Sequence, residues 1–253
     1  MQLWVNPHGT LNYVFCEVSK AGCTTWQHIL KTNFTNGRKR SISRISRYDA
    51  AHANDSHFRF LNIRHPFERL LSAYRNAVRK RRGDRRGPGW TQLNYVGRMF
   101  NTSHDNVTLT QFLQFIASSS QRHPAGVYFD RHWDSFARSC KVCSISYDYI
   151  LRTETSLLDA GDVLTHVGYP RNFLRNFQPM NCDPTHTLRA NKTSSSDAVF
   201  SKRMTEFESV SRDLLHRVFD RFRLDFEAFG YNFDFDENVA YCAIRINDTD
   251  VCC

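Results

Sequence analysis

The chain has 253 residues, 34 Lys and Arg against 25 Asp and Glu, and a formal charge of +9 at pH 7 with a pI near 9.3. A hydrophobic fraction of 41% with 13% aromatic residues is ample for a packed core, and the length suits one large α/β domain or two small ones. No apolar run approaches the roughly 20 residues that span a bilayer, and Met1 to Val5 followed by Asn-Pro-His is not a signal peptide. The positive charge predicts attraction to polyanions, a condition that nucleic acid, anionic membrane and acidic polysaccharide satisfy equally.

Six Asn-X-Ser/Thr sequons, at Asn33, Asn54, Asn101, Asn106, Asn191 and Asn247, favour passage through the secretory lumen. Eight cysteines, at 16, 23, 140, 143, 182, 242, 252 and 253, form an even set compatible with an oxidising compartment. Cys140-x-x-Cys143 is the notable pair. With no second pair and no His at ligand spacing, a disulfide framework is expected rather than a metal site.

In chain order, LNYVFCEV (11–18) reads as a buried strand, closed by a small-residue turn from Ser19 to Gly22. From Thr24 the pattern turns helical, with Trp26, Ile29 and Leu30 on one face. A second strand, turn and helix follow: FRFLNI (58–63), Arg64-His65, and a helix opened by Pro66. Phe67, Leu70, Leu71, Tyr74 and Val78 mark its apolar stripe and leave Glu68, Arg69, Ser72 and Asn76 on the polar face. Residues 79–89, RKRRGDRRGPG, have six basic residues and no apolar periodicity, as an exposed loop would. A helix is expected over 109–116, a strand over 147–152 leading into a helix over 153–167, and a long helix carrying Phe207, Val210, Leu214, Val218, Phe222, Phe226 and Phe229 up to Gly230.

Two segments carry chemistry. A strand that ends in a small-residue loop and opens a helix offers backbone N–H groups and the positive end of the helix dipole to an anion. SKAGCTT supplies such a loop, with Lys20 as a cation and Thr24 and Thr25 as hydroxyl donors. It is not GxxxxGK[ST], so ATP hydrolysis loses its main support. The second segment pairs Arg64 at a strand exit with Ser72 two turns into the next helix, both able to bind one phosphate. Taken alone, the loop could be a plain turn, and Arg64 could form a structural ion pair with Glu68.

EVSKAGCTTW (17–26) resembles the 5′-phosphosulfate loop, and FLNIRHPFERLLSAYRN (60–76) the 3′-phosphate segment, of Golgi carbohydrate sulfotransferases acting on chondroitin, dermatan, N-acetylgalactosamine termini or glucuronate. DRHW (130–133), Cys140-x-x-Cys143 with YDYILRTET after it, and FRLDFEAFGY (222–231) agree in order. The resemblance implies an α/β fold: a single P-loop-like sulfotransferase domain over 1–253, its central, mostly parallel sheet flanked by helices. The core would span about 11–233, and 234–253 would be a cysteine-containing tail. The chain departs from the family at Ser19, where Pro is usual, at His65, where an acidic residue is usual, and at Arg131, where Glu is common; these bear on acceptor more than on donor.

The resemblance further implies 3′-phosphoadenosine 5′-phosphosulfate (PAPS) as donor, without a metal. PAPS would be held by Ser19, Lys20, Ala21, Gly22, Cys23, Thr24, Thr25, Arg64 and Ser72. Lys20 is the expected stabiliser of the leaving phosphate, and His132 the expected base, with His52 and His65 behind it. The expected partner is an acidic, chondroitin- or dermatan-like glycan held by Arg79–Arg86, with no nucleic acid. The expected setting is the Golgi lumen, as part of a type II membrane protein whose anchor lies outside this sequence. Two other readings remain: a catalytically silent glycosaminoglycan-binding protein of the same fold and, on charge alone, a nucleic-acid binder.

Overall fold

The structure, a computed structural model, describes residues 2–4, 12–32, 57–78, 96–103, 106–118, 131–167 and 205–233. The expectations placed on the 79–89 loop, His52, Asp130, Cys182, the 234–253 tail and the sequons at Asn33, Asn54, Asn191 and Asn247 lie outside these residues. The described residues group into two compact units, one drawn from Met1–Arg64 and Phe136–Val199, the other from His65–Ser135 and Phe200–Val239.

The first unit is built on a four-stranded sheet, β1 (Gln2–Trp4), β2 (Asn12–Cys16), β3 (His57–Ile63) and β4 (Tyr149–Arg152), in that spatial order. β2, β3 and β4 run parallel, in a register that sets Phe15 beside Phe60 and Leu61 beside Ile150, while β1 pairs antiparallel with β2. Parallel strands need covered faces and long crossovers. α1 (Cys23–Thr32) follows β2, and α5 (Ser156–His166) follows β4 through a 3₁₀ turn at Thr153–Thr155. Phe60, fully buried, is the hub: the rings of Phe15, Trp26, Phe58 and Tyr13 lie 5.0 to 6.0 Å from it. Ile29, Leu30, Leu151, Val163 and Leu164 complete the core. This parallel sheet flanked by helices is the expected α/β architecture.

The short helix α4 (Phe136–Cys140) ends in a disulfide to Cys16, the last residue of β2, across 124 residues of chain. The Tyr147 hydroxyl donates to the Cys140 carbonyl at 2.7 Å, and burial pushes that phenol well above its ordinary pKa, so it stays a neutral donor. Cys143 is also disulfide-bonded, so both members of the Cys-x-x-Cys pair serve as covalent staples.

The second unit packs α2 (Pro66–Val78), α3 (Leu109–Ser118) and α6 (Arg212–Ala228) against one another. α3 opens with a capping box in which the Thr108 hydroxyl accepts from Gln111 N–H while the Gln111 side chain accepts from Thr108 N–H. The long C-terminal helix begins later than its apolar stripe suggested. Ser211 caps it by accepting from Leu214 N–H, and Phe207 sits on a separate 3₁₀ turn at Thr205–Phe207. Phe207 and Val210 are nevertheless buried, so their spacing carried the stripe across a break in the backbone. The stop at Gly230 is as expected: at φ +60° it takes the left-handed position, its N–H bonds to Glu227 O, and Tyr231 N–H bonds to Phe226 O. One expectation fails. Glu68 and Arg69, assigned to a polar face, are 5% and 1% exposed: α2 packs against two other helices, and Arg69 also binds the 131–134 turn.

Closing a loop of the Cys16–Cys140 size is worth about 4–5 kcal/mol in the chain-entropy account, and losing a native disulfide typically costs about 2–5 kcal/mol. Cys140→Ser is therefore expected to lower the unfolding free energy within that range in urea titration, and an unchanged midpoint would refute the staple's role.

Candidate functional site

The carboxyl ends of parallel strands are where such sheets bind ligands, and here they present the 17–22 loop after β2 and the last side chains of β3. Lys20 and Gly22 both stand at φ +70°, with Ala21 between them on the negative side. For a residue with a Cβ, such as Lys20, the left-handed conformation costs roughly 1–2 kcal/mol and persists only where surrounding contacts enforce it.

Those contacts come largely from β3. The Asn62 amide donates to the Ala21 carbonyl at 2.8 Å, and Arg64 Nη1 donates to the Lys20 carbonyl at 3.3 Å. Ala21 N–H closes the turn onto Val18 O at 3.4 Å. In a planar trans peptide C=O and N–H are antiparallel, so a carbonyl of Ala21 pulled toward Asn62 turns the N–H of Gly22 the opposite way. The first intrahelical bond of α1 runs from Trp26 N–H to Gly22 O at 3.1 Å, leaving the amides of Cys23 and Thr24 directed out of the helix's N-terminal end. Alternating signs of φ and outward amides at a helix start are the geometry of an anion nest.

The side chains follow suit. Ala21 is buried and Ser19 nearly so, Lys20, Cys23 and Thr25 are half-buried, and Thr24 is exposed. Cys23 carries a free thiol. Gln27 of α1 reaches back to Glu17 at 2.5 Å, and Thr153 at the end of β4 donates to Ile63 O at 2.8 Å, so the strand exits are tied together. The structure thus joins Ser19–Thr25 and Arg64 into one arrangement. Arg64 braces the loop through its bond to the Lys20 carbonyl.

Asn62 is the residue that sequence reasoning passed over. It is 2% exposed, its Oδ1 is buried with no hydrogen-bond partner among the described residues, and a Cβ built on Gly22 would lie 2.9 Å from its Nδ2. The signal was present: an amide in the strand FRFLNI must be hydrogen-bonded if buried, or cost free energy.

The other expected residues belong to the second unit. Ser72 is half-buried on α2. His132 is half-buried in the 131–134 turn, beside the fully buried Trp133. His65 is different: it is 2% exposed, with the rings of Tyr231 and Phe226 at 5.2 and 5.4 Å edge-on, and Nε2 facing Asn232 O at 3.4 Å. Such a buried ring serves packing better than proton transfer to a sugar. Among the described residues no group of three or more His, Cys, Asp or Glu side chains is placed to hold a metal ion.

Set against known proteins, residues 1–232 match the profile described as the Sulfotransferase family. Carbohydrate sulfotransferase 14 of Mus musculus is 26% identical over 240 residues, covering 87% of this chain and 57% of that protein. Carbohydrate sulfotransferase 8 of Homo sapiens is 26% identical over 181 residues, covering 63% and 41%, and carbohydrate sulfotransferase 10 of Xenopus laevis is 24% identical over 256 residues, covering 86% and 64%. The chain spans less than two thirds of the length of these curated relatives. No solved structure matches.

The loop geometry is testable by a double-mutant cycle. Gly22→Ala meets both a left-handed φ and the Asn62 amide and should cost about 1–2 kcal/mol, while Asn62→Ala strands the Ala21 carbonyl for about 1–3 kcal/mol. Because both changes act at one contact, the double variant should lose less than the sum in urea unfolding; strict additivity would show that the contact does not hold the loop.

Proposed function

The chain belongs to the sulfotransferase family, and on that premise we propose that it transfers a sulfuryl group from PAPS to a hydroxyl of a glycan. The observation that carries the reading is the 17–25 loop, whose left-handed Lys20 and Gly22 and outward helix-start amides suit a bound phosphosulfate. The acceptor proposed is the 4-hydroxyl of N-acetylgalactosamine in chondroitin- or dermatan-type chains. The basic segment Arg79–Arg86 would meet the carboxylates and sulfates of that polymer.

The moving SO₃ is approached in line by the acceptor oxygen while negative charge grows on the departing phosphate, so catalysis rests on positioning and cation placement. Lys20 is assigned to the bridging oxygen and leaving phosphate, Ser19 and Ala21–Thr25 to the 5′ side, and Arg64 with Ser72 to the 3′-phosphate. A guanidinium has five N–H donors, enough to brace the loop and contact a phosphate at once. His132 takes the acceptor proton, since a neutral imidazole is a competent base near neutral pH.

Transfer of ³⁵S from labelled PAPS to desulfated chondroitin, dermatan and heparan, with disaccharide analysis of the product, tests both donor and acceptor. Lys20→Ala should lower turnover by about 10²–10³ while adenosine 3′,5′-bisphosphate still binds. His132→Gln should lower it by about 10²–10⁴. A Lys20→Ala protein with near-normal turnover would sink the donor assignment, and glycan binding without any transfer by the unaltered protein would select the catalytically silent alternative.

The Golgi lumen is the proposed setting, within a longer type II membrane protein; no described helix is long and apolar enough to cross a membrane. The Cys16–Cys140 disulfide and the exposure of Asn101 and Asn106, both in sequons, support a lumenal site. Protein made in a secretory host should lose mass on peptide-N-glycosidase F treatment, by one glycan fewer for each of Asn101→Gln and Asn106→Gln. No shift in any of the three proteins would count against it.

A further inference from the structure

Arg69 lies in α2 and is 1% exposed, among the largest fully buried side chains. Its guanidinium donates through Nη1 to the carbonyl of Asp134 and through Nη2 to the carbonyl of Arg131 at 3.1 Å. Those carbonyls bracket His132 and Trp133. We infer that Arg69 is a positioning residue for the proposed base, holding the His132 turn by its two ends.

A planar guanidinium presents donors at fixed separation, so two acceptors bound by one fork are fixed relative to each other as well as to α2. Between them Trp133 is 1% exposed, its ring edge-on to Phe112 of α3 at 5.4 Å, and it anchors the turn on its apolar side. Asp134 Oδ1 accepts from Ser135 N–H at 3.0 Å and closes the exit. Between these held flanks His132 is half-buried. The two acceptors of this fork are backbone atoms, so the side chain at position 131, where this chain departs from the resembling family, is not one of them. A general base gains from such support because small displacements of the reacting groups lower the rate steeply.

The inference rests on the reading of His132 as base, and a double-mutant cycle separates the two. Arg69→Lys keeps the charge but replaces the fork with a single point. In the otherwise unaltered protein it should reduce kcat 10- to 100-fold, with the donor KM and adenosine 3′,5′-bisphosphate affinity within twofold. In a His132→Gln background the same substitution should change kcat less than twofold, because the group it positions is gone. An equal loss in both backgrounds would make Arg69 merely structural, and an undiminished kcat for Arg69→Lys would overturn the proposal outright. Full activity of His132→Gln alone would instead remove the base assignment on which it stands. Should Arg69→Lys fail to fold, as judged by loss of bisphosphate binding, Arg69→Gln carries the same cycle with the same outcomes.

Discussion

The geometry of the 17–22 loop depends on one hydrogen bond, from the buried amide of Asn62 to the carbonyl of Ala21. A peptide plane cannot turn its carbonyl one way without turning its N–H the other. A bond on the β3 side of the loop therefore aims an amide away from it, and the left-handed conformations of Lys20 and Gly22 follow from meeting that demand within a few residues. Gly22 has no side chain because the space is taken by the Asn62 amide. Arg64, one residue past the end of β3, repeats the device on the neighbouring carbonyl. The parallel pairing of β2 with β3 brings these groups into range, and that pairing in turn is sustained by the aromatic cluster around Phe60.

The two units divide the work along the chain. Residues 65–135 of the second unit occupy the connection between β3 and β4, a crossover that parallel strands require in any case. The loop after β2 and the side chains ending β3 belong to the first unit, Ser72 and His132 to the second. In the second unit several other polar side chains are put to structural use: Arg69 binds backbone carbonyls, Tyr74 donates to Val107 O at 2.9 Å, and Arg75 pairs with Glu206.

Much of this was legible in the sequence. The strands 12–16 and 57–63 announce themselves as short apolar runs closed by turn residues, and the helices 109–118 and 156–166 lie close to where periodicity predicts them. Other features were hidden for physical reasons. Reading α2 as a helix with one buried face exposes Glu68 and Arg69, but a helix packed against two others has no such single face. β1 is three residues long, too short for any periodicity to register, and owes its existence to its pairing with β2. Asn62 stood unremarked in an apolar strand because local sequence does not reveal which loop an amide will meet. Cys16 and Cys140 are separated by 124 residues, and no spacing rule reaches that far.

That separation also bears on how the protein is made. At typical elongation speeds of 5–20 residues per second, Cys140 leaves the ribosome roughly 6–25 s after Cys16. Throughout that interval the nearest thiol to Cys16 is Cys23, and closing the short loop between them carries the smaller entropic cost. Yet among the described residues of the finished protein Cys23 is unbonded. A premature bond between the two would draw together the ends of the segment that bears Lys20, and it must be opened by thiol exchange before Cys140 can take its place. Biosynthesis of an intact loop is thus favoured where disulfides can be reshuffled as well as formed.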